Sequence, residues 1–475
     1  MTISINNMSD DKKEIEALPP SLDRASIRAG SIKIASEDDF EVFKTTTDGV
    51  QFRLVGWIKA SVIFLKLIFA TGVLSIPTAM YGLGAVGGAL SVVGWGTLNT
   101  YFAIVQGNFR NRHAHCHSIA DMAYVVGGPI AREVCGFLFI VAYVLCAGSG
   151  IVGLAVAFNA LSEHAACTVW WSFLAFVLVV VCASVRKFEK IGWLSWVGFI
   201  SVYVAVFIVV VGVTTRDRPA AAPPVGDFEF GFSAIAYPTF QVGMTASATI
   251  FISSAGTSAF LPVISEMRNP HDYNKAVYLC MSVVQASYLA FSLIVYYYCG
   301  KWVTDPSLGS AGPLLKKVAY GVGLIGLMVS GCLYLHVAAK YVFVRILRNS
   351  PHLQRNSLVH WGTWLGCTIG LGSLAFILAQ AIPIFSFLIA LTGSVCFAPL
   401  AIMLPGWLWL HDHGEYRKGG MGKKMMYVGH WLLILVGAFM CVGGTYGVIQ
   451  SIIGAYDSGL IGSAFSCGDN SGTVH

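Results

Sequence analysis

The sequence predicts an all-α polytopic membrane protein with about eleven transmembrane helices. Of its 475 residues, 56% are hydrophobic and 11% are charged, whereas an ordinary soluble domain carries about 25% charged residues. Apolar runs of roughly 20 residues recur along the chain, and a helix needs that length to cross the hydrocarbon core of a bilayer. Unpaired backbone groups are costly in that core, so the apolar runs indicate helices.

The individual helices are delimited by charged residues, glycine and proline at the ends of the apolar runs. The predicted spans cover residues 54–80, 84–108, 130–161, 167–185, 191–215, 238–266, 274–300, 312–346, 358–380, 383–410 and 427–455.

These spans form one membrane domain, 54–456, between two polar segments. Residues 1–53 contain seven Lys or Arg and ten Asp or Glu with little helical periodicity, which predicts a disordered cytosolic tail. That tail has no apolar core of the kind found in a secretory signal, so the first span is expected to direct insertion. Residues 457–475 are predicted to form a short tail on the opposite side.

The orientation follows from the distribution of Lys and Arg between alternate loops. With the N-terminus in the cytosol, 23 of the 30 Lys and Arg lie on the cytosolic side and five on the other. This asymmetry predicts a cytosolic N-terminus and an outer C-terminus. The outer loops then hold Cys167, Cys299 and Cys467, so a disulfide between two of them is compatible with the topology, whereas most of the twelve cysteines lie in apolar runs and resemble ordinary small hydrophobic residues.

Two predicted helices contain breaks. The first span, FLKLIFATGVLSIPTAMYGLG (64–84), carries Gly72 and Pro77, and the sixth, IFISSAGTSAFLPVISEMRNP (250–270), carries Gly256 and Pro262. Glycine tolerates unwound backbone and proline removes an amide donor. For one such helix a simple bend is the alternative interpretation, since Gly and Pro are common in membrane helices.

Matching breaks in two helices favour a binding site near the middle of the membrane, as in secondary transporters. Exposed amides at a half-helix end suit a carboxylate, and freed carbonyls suit an ammonium group or a cation, so the pair fits an α-amino acid. Tyr143 in the third span is predicted to close over the substrate, with packing in the helix bundle as the alternative. The predicted substrate-binding residues are Ala70, Thr71, Gly72, Val73, Leu74, Ser253, Ser254, Ala255, Gly256 and Tyr143.

Several motifs resemble the amino acid/auxin permease family, in particular its fungal neutral amino acid permeases. They are TGVLSIP, SSAGTSAFLPVISEMRNP, SIADMAYVVGGPIARE and AAKYVFVRILR, and the resemblance runs from about Trp57 to the eleventh span. The resemblance implies an inverted repeat of five plus five helices with broken helices 1 and 6, an added eleventh helix, and secondary active uptake of neutral amino acids. It favours the plasma membrane, with the vacuolar membrane as the second expectation.

The driving ion is predicted from Lys66. An ionisable group inside a membrane helix suggests function, although Lys66 could instead extend to the cytosolic interface. Sodium-coupled relatives typically have asparagine near this position and threonine in the eighth span, where this chain has Lys66 and His336. An ammonium group would occupy or repel a sodium site, whereas a buried lysine can exchange a proton. Lys66 and His336 are therefore the predicted ion-coupling residues, with a packed histidine as the alternative for His336.

The sequence gives weaker support to other interpretations, such as a metal site, an enzyme or a channel. The cluster HAHCH (113–117) resembles metal ligands, but it lacks a partner cluster in the sequence, so no metal is predicted. Glu266 and Arg268 are expected to pair at the inner mouth, with ordinary loop charges as the alternative. Neither an enzyme's clustered catalytic groups nor a channel filter is recognisable, and no cofactor or nucleic-acid partner is expected. A sodium-coupled or vacuolar transporter and a non-transporting sensor stay open, as does contact of the N-terminal tail with trafficking and ubiquitin machinery.

Overall fold

The structure is a computed structural model that describes residues 55–185, 188–348, 350–353, 355, 357–459 and 464–472. The predicted tail at 1–53 lies outside the described residues.

The described chain is helical, and its one extended pairing is an isolated parallel bridge between Val55 and Met267. The all-α class predicted from the sequence is confirmed. The α-helices are α1 (Trp57–Ile68), α2 (Ile76–Arg112), α3 (Ile119–Ser162), α4 (Thr168–Ala183), α5 (Phe188–Thr214), α6 (Phe240–Ala255), α7 (Phe260–Ile264), α8 (Tyr273–Cys299), α9 (Pro313–Leu347), α10 (Leu358–Ala381), α11 (Phe385–Thr392), α12 (Leu404–Asp412) and α13 (Met421–Asp457).

Length and hydropathy support eight membrane crossings in the described residues, or nine when the bent pair Phe385–Phe397 and Pro399–Asp412 forms one. The sequence predicts eleven crossings, which is two more than nine. The stretch Trp57–Arg112 is counted once, yet the chain turns inside it at Gly84, which has a φ of 75°. Helix α4 has 16 residues, about 24 Å of helix, which is shorter than the hydrocarbon core. The exact number of crossings stays a prediction.

Helix α3 combines two helical pieces. Ser118 and Asp121 form a capping box at its start, and Gly128 adopts a φ of 68° just before Pro129. Only glycine adopts such a positive φ readily, so the chain bends here. The second piece corresponds to the predicted span at 130–161.

The two broken helices lie at the centre of the bundle. Residues 60–77 are all buried, and helix α6 packs between α2 and α13. By contrast, α13 carries large apolar side chains on the surface, among them Val442 (74% exposed) and Leu435 (61% exposed). An apolar exterior around a core that contains polar side chains is the arrangement expected of a polytopic membrane protein.

Candidate functional site

The first helix is interrupted where the sequence predicted a break. Helix α1 ends at Ile68, a 3₁₀ turn covers Gly72–Ser75, and α2 begins at Ile76 with Pro77 in its first turn. The interruption exposes main-chain carbonyls, and two of these accept hydrogen bonds from tyrosine side chains. The Tyr334 hydroxyl donates to the Leu67 carbonyl (3.1 Å) and the Tyr288 hydroxyl to the Ile68 carbonyl (2.7 Å).

The sixth helix is interrupted in the same way. Helix α6 ends at Ala255, a 3₁₀ turn covers Gly256–Ala259, and α7 continues to Ile264. Here the Tyr143 hydroxyl lies 3.1 Å from the Gly256 carbonyl oxygen and 2.9 Å from the Ser258 hydroxyl. The prediction that both helices are broken near glycine is therefore correct.

The two breaks contact each other directly. The Ser253 hydroxyl donates to the Gly72 carbonyl (3.2 Å), and a methyl group on Gly72 would lie 3.0 Å from the Ser253 Cα. Tyr288 of α8 also reaches both breaks, because its hydroxyl lies 2.7 Å from the Ile68 oxygen and 3.1 Å from the Ser253 oxygen. The breaks and Tyr288 thus form one buried polar cluster.

A central cavity of about 30 Å³ lies between the breaks. That volume is enough for about one or two water molecules, so surrounding side chains must move before an amino acid can enter. The lining side chains are apolar or hydroxyl-bearing apart from a cysteine, and the lining contains no Asp, Glu, Lys, Arg or His among the described residues. The lining residues are Leu67, Ile68, Thr71, Gly72, Tyr143, Cys146, Ser149, Ile252, Ser253, Gly256, Tyr334, Ile389, Thr392 and Phe397.

Half of the predicted substrate-binding residues line this cavity, and half lie just behind it. Thr71, Gly72, Tyr143, Ser253 and Gly256 face the cavity. The others are buried near it without lining it: Ala70, Val73, Leu74, Ser254 and Ala255. A substrate role stays a prediction for all ten.

Sequence reasoning missed several residues of the site. Cys146 and Ser149 lie one and two turns after Tyr143, on the same face of α3, and this helical spacing could have identified them. Tyr288 and Tyr334 had no comparable signal, because their hydroxyls meet the first break only through the tertiary fold. Asn99 of α2 is a further example, since its amide donates to the Ser254 hydroxyl (2.8 Å) and the Phe251 carbonyl (3.3 Å).

Lys66 is fully buried in the last turn of α1, two residues before the helix ends at the first break. Its ammonium nitrogen lies 2.6 Å from the Ser330 hydroxyl oxygen, which itself donates to the Gly326 carbonyl (2.8 Å). Among the described residues, no carboxylate lies within ion-pair distance of Lys66. The side chain therefore ends inside the bundle, between α1 and α9, rather than at the interface.

His336 lies elsewhere on α9. It is fully buried, its Nδ1 is 3.3 Å from the Ala183 carbonyl oxygen, and its ring packs against Trp364 with centroids 5.2 Å apart. Six residues separate it from Ser330, roughly 9 Å along the helix. The two predicted ion-coupling residues thus contact different partners, and their roles stay predictions.

The end of the bundle where α1 begins carries two ion pairs, and here one expectation is wrong. Glu266 forms an ion pair with Lys340 of α9, whereas the backbone amide of Arg268 donates to the Val55 carbonyl (2.8 Å). Glu266 and Lys340 are far apart in the sequence, so only the fold reveals this pair. A second α9 cation, Arg348, pairs with Asp121 at 2.9 Å.

The histidine cluster has neighbours that the sequence did not suggest. His113 lies beside His411 and Asp412, with candidate ligand atoms within 4.8 Å of one another. Asp412, however, also accepts from Arg112 at 2.8 Å and from His113 at 3.2 Å. Its carboxylate is thus already paired with a cation.

One face of α3 connects three cavities along the axis of the bundle. Phe139 lines one cavity, Tyr143 and Ser149 line the central cavity, and Val152 and Val156 line a third. Cavities in series, with polar breaks at the middle one, are the geometry expected of a transport pathway.

Comparison with known proteins agrees with this geometry. The family model described as "Transmembrane amino acid transporter protein" matches residues 54–450. The chain belongs to this family. The transporter is 51% identical to a protein named "Transmembrane transporter" from Gibberella moniliformis over 91% of the chain and 92% of the relative. It is 25% identical to the "N amino acid transport system protein" of Neurospora crassa over 88% of the chain and 89% of the relative.

Solved transporters are also similar. MhsT in complex with L-phenylalanine matches with a TM-score of 0.49 and 11% identity, covering 86% of this chain and 100% of the other. The nucleobase-cation-symport-1 family transporter Mhp1 matches with a TM-score of 0.49 and 14% identity, covering 89% of this chain and 98% of the other.

Family membership indicates that the transporter is a polytopic membrane protein that moves amino acids, and it does not indicate an enzyme.

Proposed function

We propose that the transporter carries neutral aliphatic and aromatic amino acids by proton-coupled symport. The main support is the central cavity between the two breaks. Broken-helix main chain supplies groups that can bind a zwitterion, and the described lining offers no charged side chain to pair with a charged substrate side chain. The N amino acid transport system relative supports an amino acid substrate.

Lys66 supports the proton as the driving ion. An ammonium group buried without a carboxylate partner is costly, so a neutral amine at this position is ready to take up a proton and release it later. The lysine nitrogen lies in the bundle next to the first break, where movement of the break would alter its surroundings. A sodium-coupled mechanism is the alternative, and the cationic form of Lys66 would oppose it.

The plasma membrane, with the N-terminus in the cytosol, is the proposed location. The distribution of Lys and Arg supports this orientation. A vacuolar transporter is the second candidate for location, and a sensor that binds amino acids without transporting them is the second candidate for function.

Flux into proteoliposomes tests the proposal. Purified transporter should accumulate radiolabelled L-leucine and L-phenylalanine when the outside is acidic, without sodium, and a protonophore should abolish accumulation. The available free energy is about 1.4 kcal/mol per pH unit plus about 2.3 kcal/mol per 100 mV for one charge. Arginine or glutamate competing with leucine as well as phenylalanine does would contradict neutral specificity. Binding without flux would favour the sensor.

A further inference from the structure

The largest of the three cavities lies at the end of the bundle that the predicted topology places outside the membrane. We call it the outer vestibule, and it has a volume of about 550 Å³. Its wall includes α3, α4, the ends of α10 and α11, the loop before α9, and a tail segment defined here as residues 464–472. Its polar lining residues are Thr78, Thr168, Ser172, Asp305, Gln380, Ser386, Ser466, Asp469 and Asn470.

The tail segment is held firmly in this wall. A disulfide joins Cys467 to Cys167, so two of the three cysteines expected on the outer side are bridged. The Thr168 hydroxyl donates to the Gly468 carbonyl (2.7 Å), and the Asn159 amide donates to the Asn470 side chain (2.8 Å). A covalent bridge together with these hydrogen bonds makes the tail segment a fixed part of the vestibule.

The charges that line the vestibule are negative. Asp305 and Asp469 are among the lining residues, and no Lys, Arg or His is present among the described lining residues. Lys316 lies behind the tail segment, where its ammonium donates to the Ser471 carbonyl (2.7 Å) and interacts electrostatically with Asp469. A cleft whose charged lining groups are carboxylates attracts cations and raises their local concentration.

Asp305 is held in place by the two helices that lead inward. Its carboxylate accepts a hydrogen bond from the Ser386 amide (3.1 Å) and a longer one from the Ser75 hydroxyl (3.4 Å). Burial raises the pKa of Asp305, and the bonds from Ser386 and Ser75 oppose that rise.

Gln380 supplies an independent sign of a ligand. It lies in the last turn of α10, is 6% exposed and lines the vestibule. Its side-chain amide forms no hydrogen bond with another described residue, although buried amides are almost always bonded. Ser172 of α4 is 2% exposed and lines the same vestibule, and its hydroxyl likewise bonds to no described residue. Two buried polar side chains thus face the vestibule with their hydrogen-bonding capacity unused by the protein.

We propose that the outer vestibule is a docking site for ligands with a primary ammonium group, and that it receives the amino acid before the central cavity does. Asp305 and Asp469 attract the ammonium group, and the Gln380 side-chain carbonyl and the Ser172 hydroxyl accept hydrogen bonds from it. That the ligand is a transported amino acid rests on the proposed function. That the site attracts an ammonium group rests only on the residues that line the vestibule.

Charge substitutions at Gln380 test the site through transport kinetics. Gln380→Glu adds a negative charge and Gln380→Lys a positive one, while neither breaks a hydrogen bond between described residues. A unit charge about 6 Å away in water changes binding about threefold. The KM for L-phenylalanine should therefore rise about threefold or more in the lysine variant and fall in the glutamate variant, with the effect on KM rather than kcat. Ser458→Lys, which adds the same charge outside the vestibule, is the matched control.

Equal KM values for the two Gln380 variants, or an equal rise in the Ser458→Lys control, would overturn the docking site. A merely structural role for Gln380 would change KM in the same direction in both variants.

Binding to purified transporter separates this inference from the proposed function. Phenethylamine has the ammonium group without a carboxylate, and 3-phenylpropionate has the carboxylate without the ammonium. Calorimetry should show phenethylamine binding to the wild type, weaker binding to Gln380→Lys, and weaker or no binding of 3-phenylpropionate. Should the acid bind as well as the amine, the inference is overturned. Amine binding with no amino acid flux would support the vestibule while contradicting the proposed function.

Discussion

The breaks in the first and sixth helices are built alike but constrained differently. At each break, three main-chain carbonyl oxygens lie within 3.3 Å of a side-chain donor. They are those of Leu67, Ile68 and Gly72 at the first break and those of Phe251, Ser253 and Gly256 at the sixth, and the Ile68 and Ser253 oxygens share the one hydrogen of the Tyr288 hydroxyl. Unpaired buried carbonyls are costly, so these donors allow both helices to stay open inside the membrane.

The glycines at the two breaks have different neighbours. A methyl group on Gly72 would meet the Ser253 Cα at 3.0 Å, whereas one on Gly256 would meet only the end of the Ile68 side chain, at 3.3 Å. A flexible side-chain tip can shift where a main chain cannot. A glycine in an apolar run therefore marks both breaks, but a side chain would be excluded at Gly72 and could be accommodated at Gly256.

The electrostatics of the two breaks also differ. Lys66 lies six residues before Gly72, and the residue six before Gly256 is Ile250. Both are buried, but only the first position can carry a charge. This comparison is consistent with the proposal that the first broken helix binds the ion and that both broken helices bind the substrate.

Gly72→Val should have the largest effect. Uptake should fall to background at normal surface level, because its Cβ alone would collide with the Ser253 main chain. Uptake of radiolabelled leucine, normalised to surface protein, measures this. Gly366→Val is the control, since a Cβ there has no neighbour within 4 Å. Normal uptake by Gly72→Val would end the assignment of this break to the substrate site.

Lys66→Arg should abolish uphill accumulation, because arginine cannot release its proton. Lys66→Ala should do the same, yet exchange of one amino acid for another should survive, as the main-chain site remains. The measurements are accumulation and counterflow at several external pH values, where wild-type uptake should rise as pH falls. Lys59→Arg on the same helix is the control. An unchanged pH profile with uphill uptake in Lys66→Arg would show that lysine is not the proton carrier.

Tyr288→Phe tests the donor shared by both breaks. Removing its hydroxyl leaves the Ile68 and Ser253 carbonyls without this donor, at a cost of about 1–3 kcal/mol, so uptake should fall about tenfold or more. Tyr143→Phe removes a donor from the sixth break alone and should be milder. Tyr278→Phe, at an exposed position of α8, controls for the substitution. A greater loss in Tyr143→Phe than in Tyr288→Phe would contradict this ranking.

Gly256→Ala should have the smallest effect, keeping uptake within about twofold, since the Ile68 side chain can adjust. Gly256→Val should lose uptake, because its branches reach into the central cavity. Parallel uptake assays of both variants measure how large a side chain this position accepts. Loss of uptake in Gly256→Ala would mean that this break is as tightly constrained as the first.

The sequence predicts the breaks well because their cause is local. Gly72, Pro77, Gly256 and Pro262 interrupt apolar runs, and such residues disfavour a continuous helix whatever surrounds them. The helix boundaries follow for the same reason. The turn at Gly84 coincides with the first residue of the second predicted span, 84–108.

The missed features depend on contacts between distant parts of the chain. The pair Glu266–Arg268 was expected from proximity in sequence, while the fold brings Lys340 to Glu266. Tyr288 and Tyr334 look like ordinary aromatic residues of membrane helices until their carbonyl partners are known. Gln380 likewise gives no signal in the sequence, because only the fold shows that its buried side-chain amide has no hydrogen-bond partner among the described residues.

The position of Tyr288 has a mechanical consequence. Its hydroxyl carries one hydrogen, and two carbonyl oxygens, one in each broken helix, lie within 3.1 Å. The hydroxyl can therefore bond to one oxygen at a time, and rotation about the bond between the ring and the hydroxyl oxygen transfers the hydrogen bond from one helix to the other without moving any heavy atom. A small tilt of either helix would decide which oxygen is nearer. The direction of the Tyr288 hydroxyl hydrogen therefore depends on the relative tilt of the two broken helices.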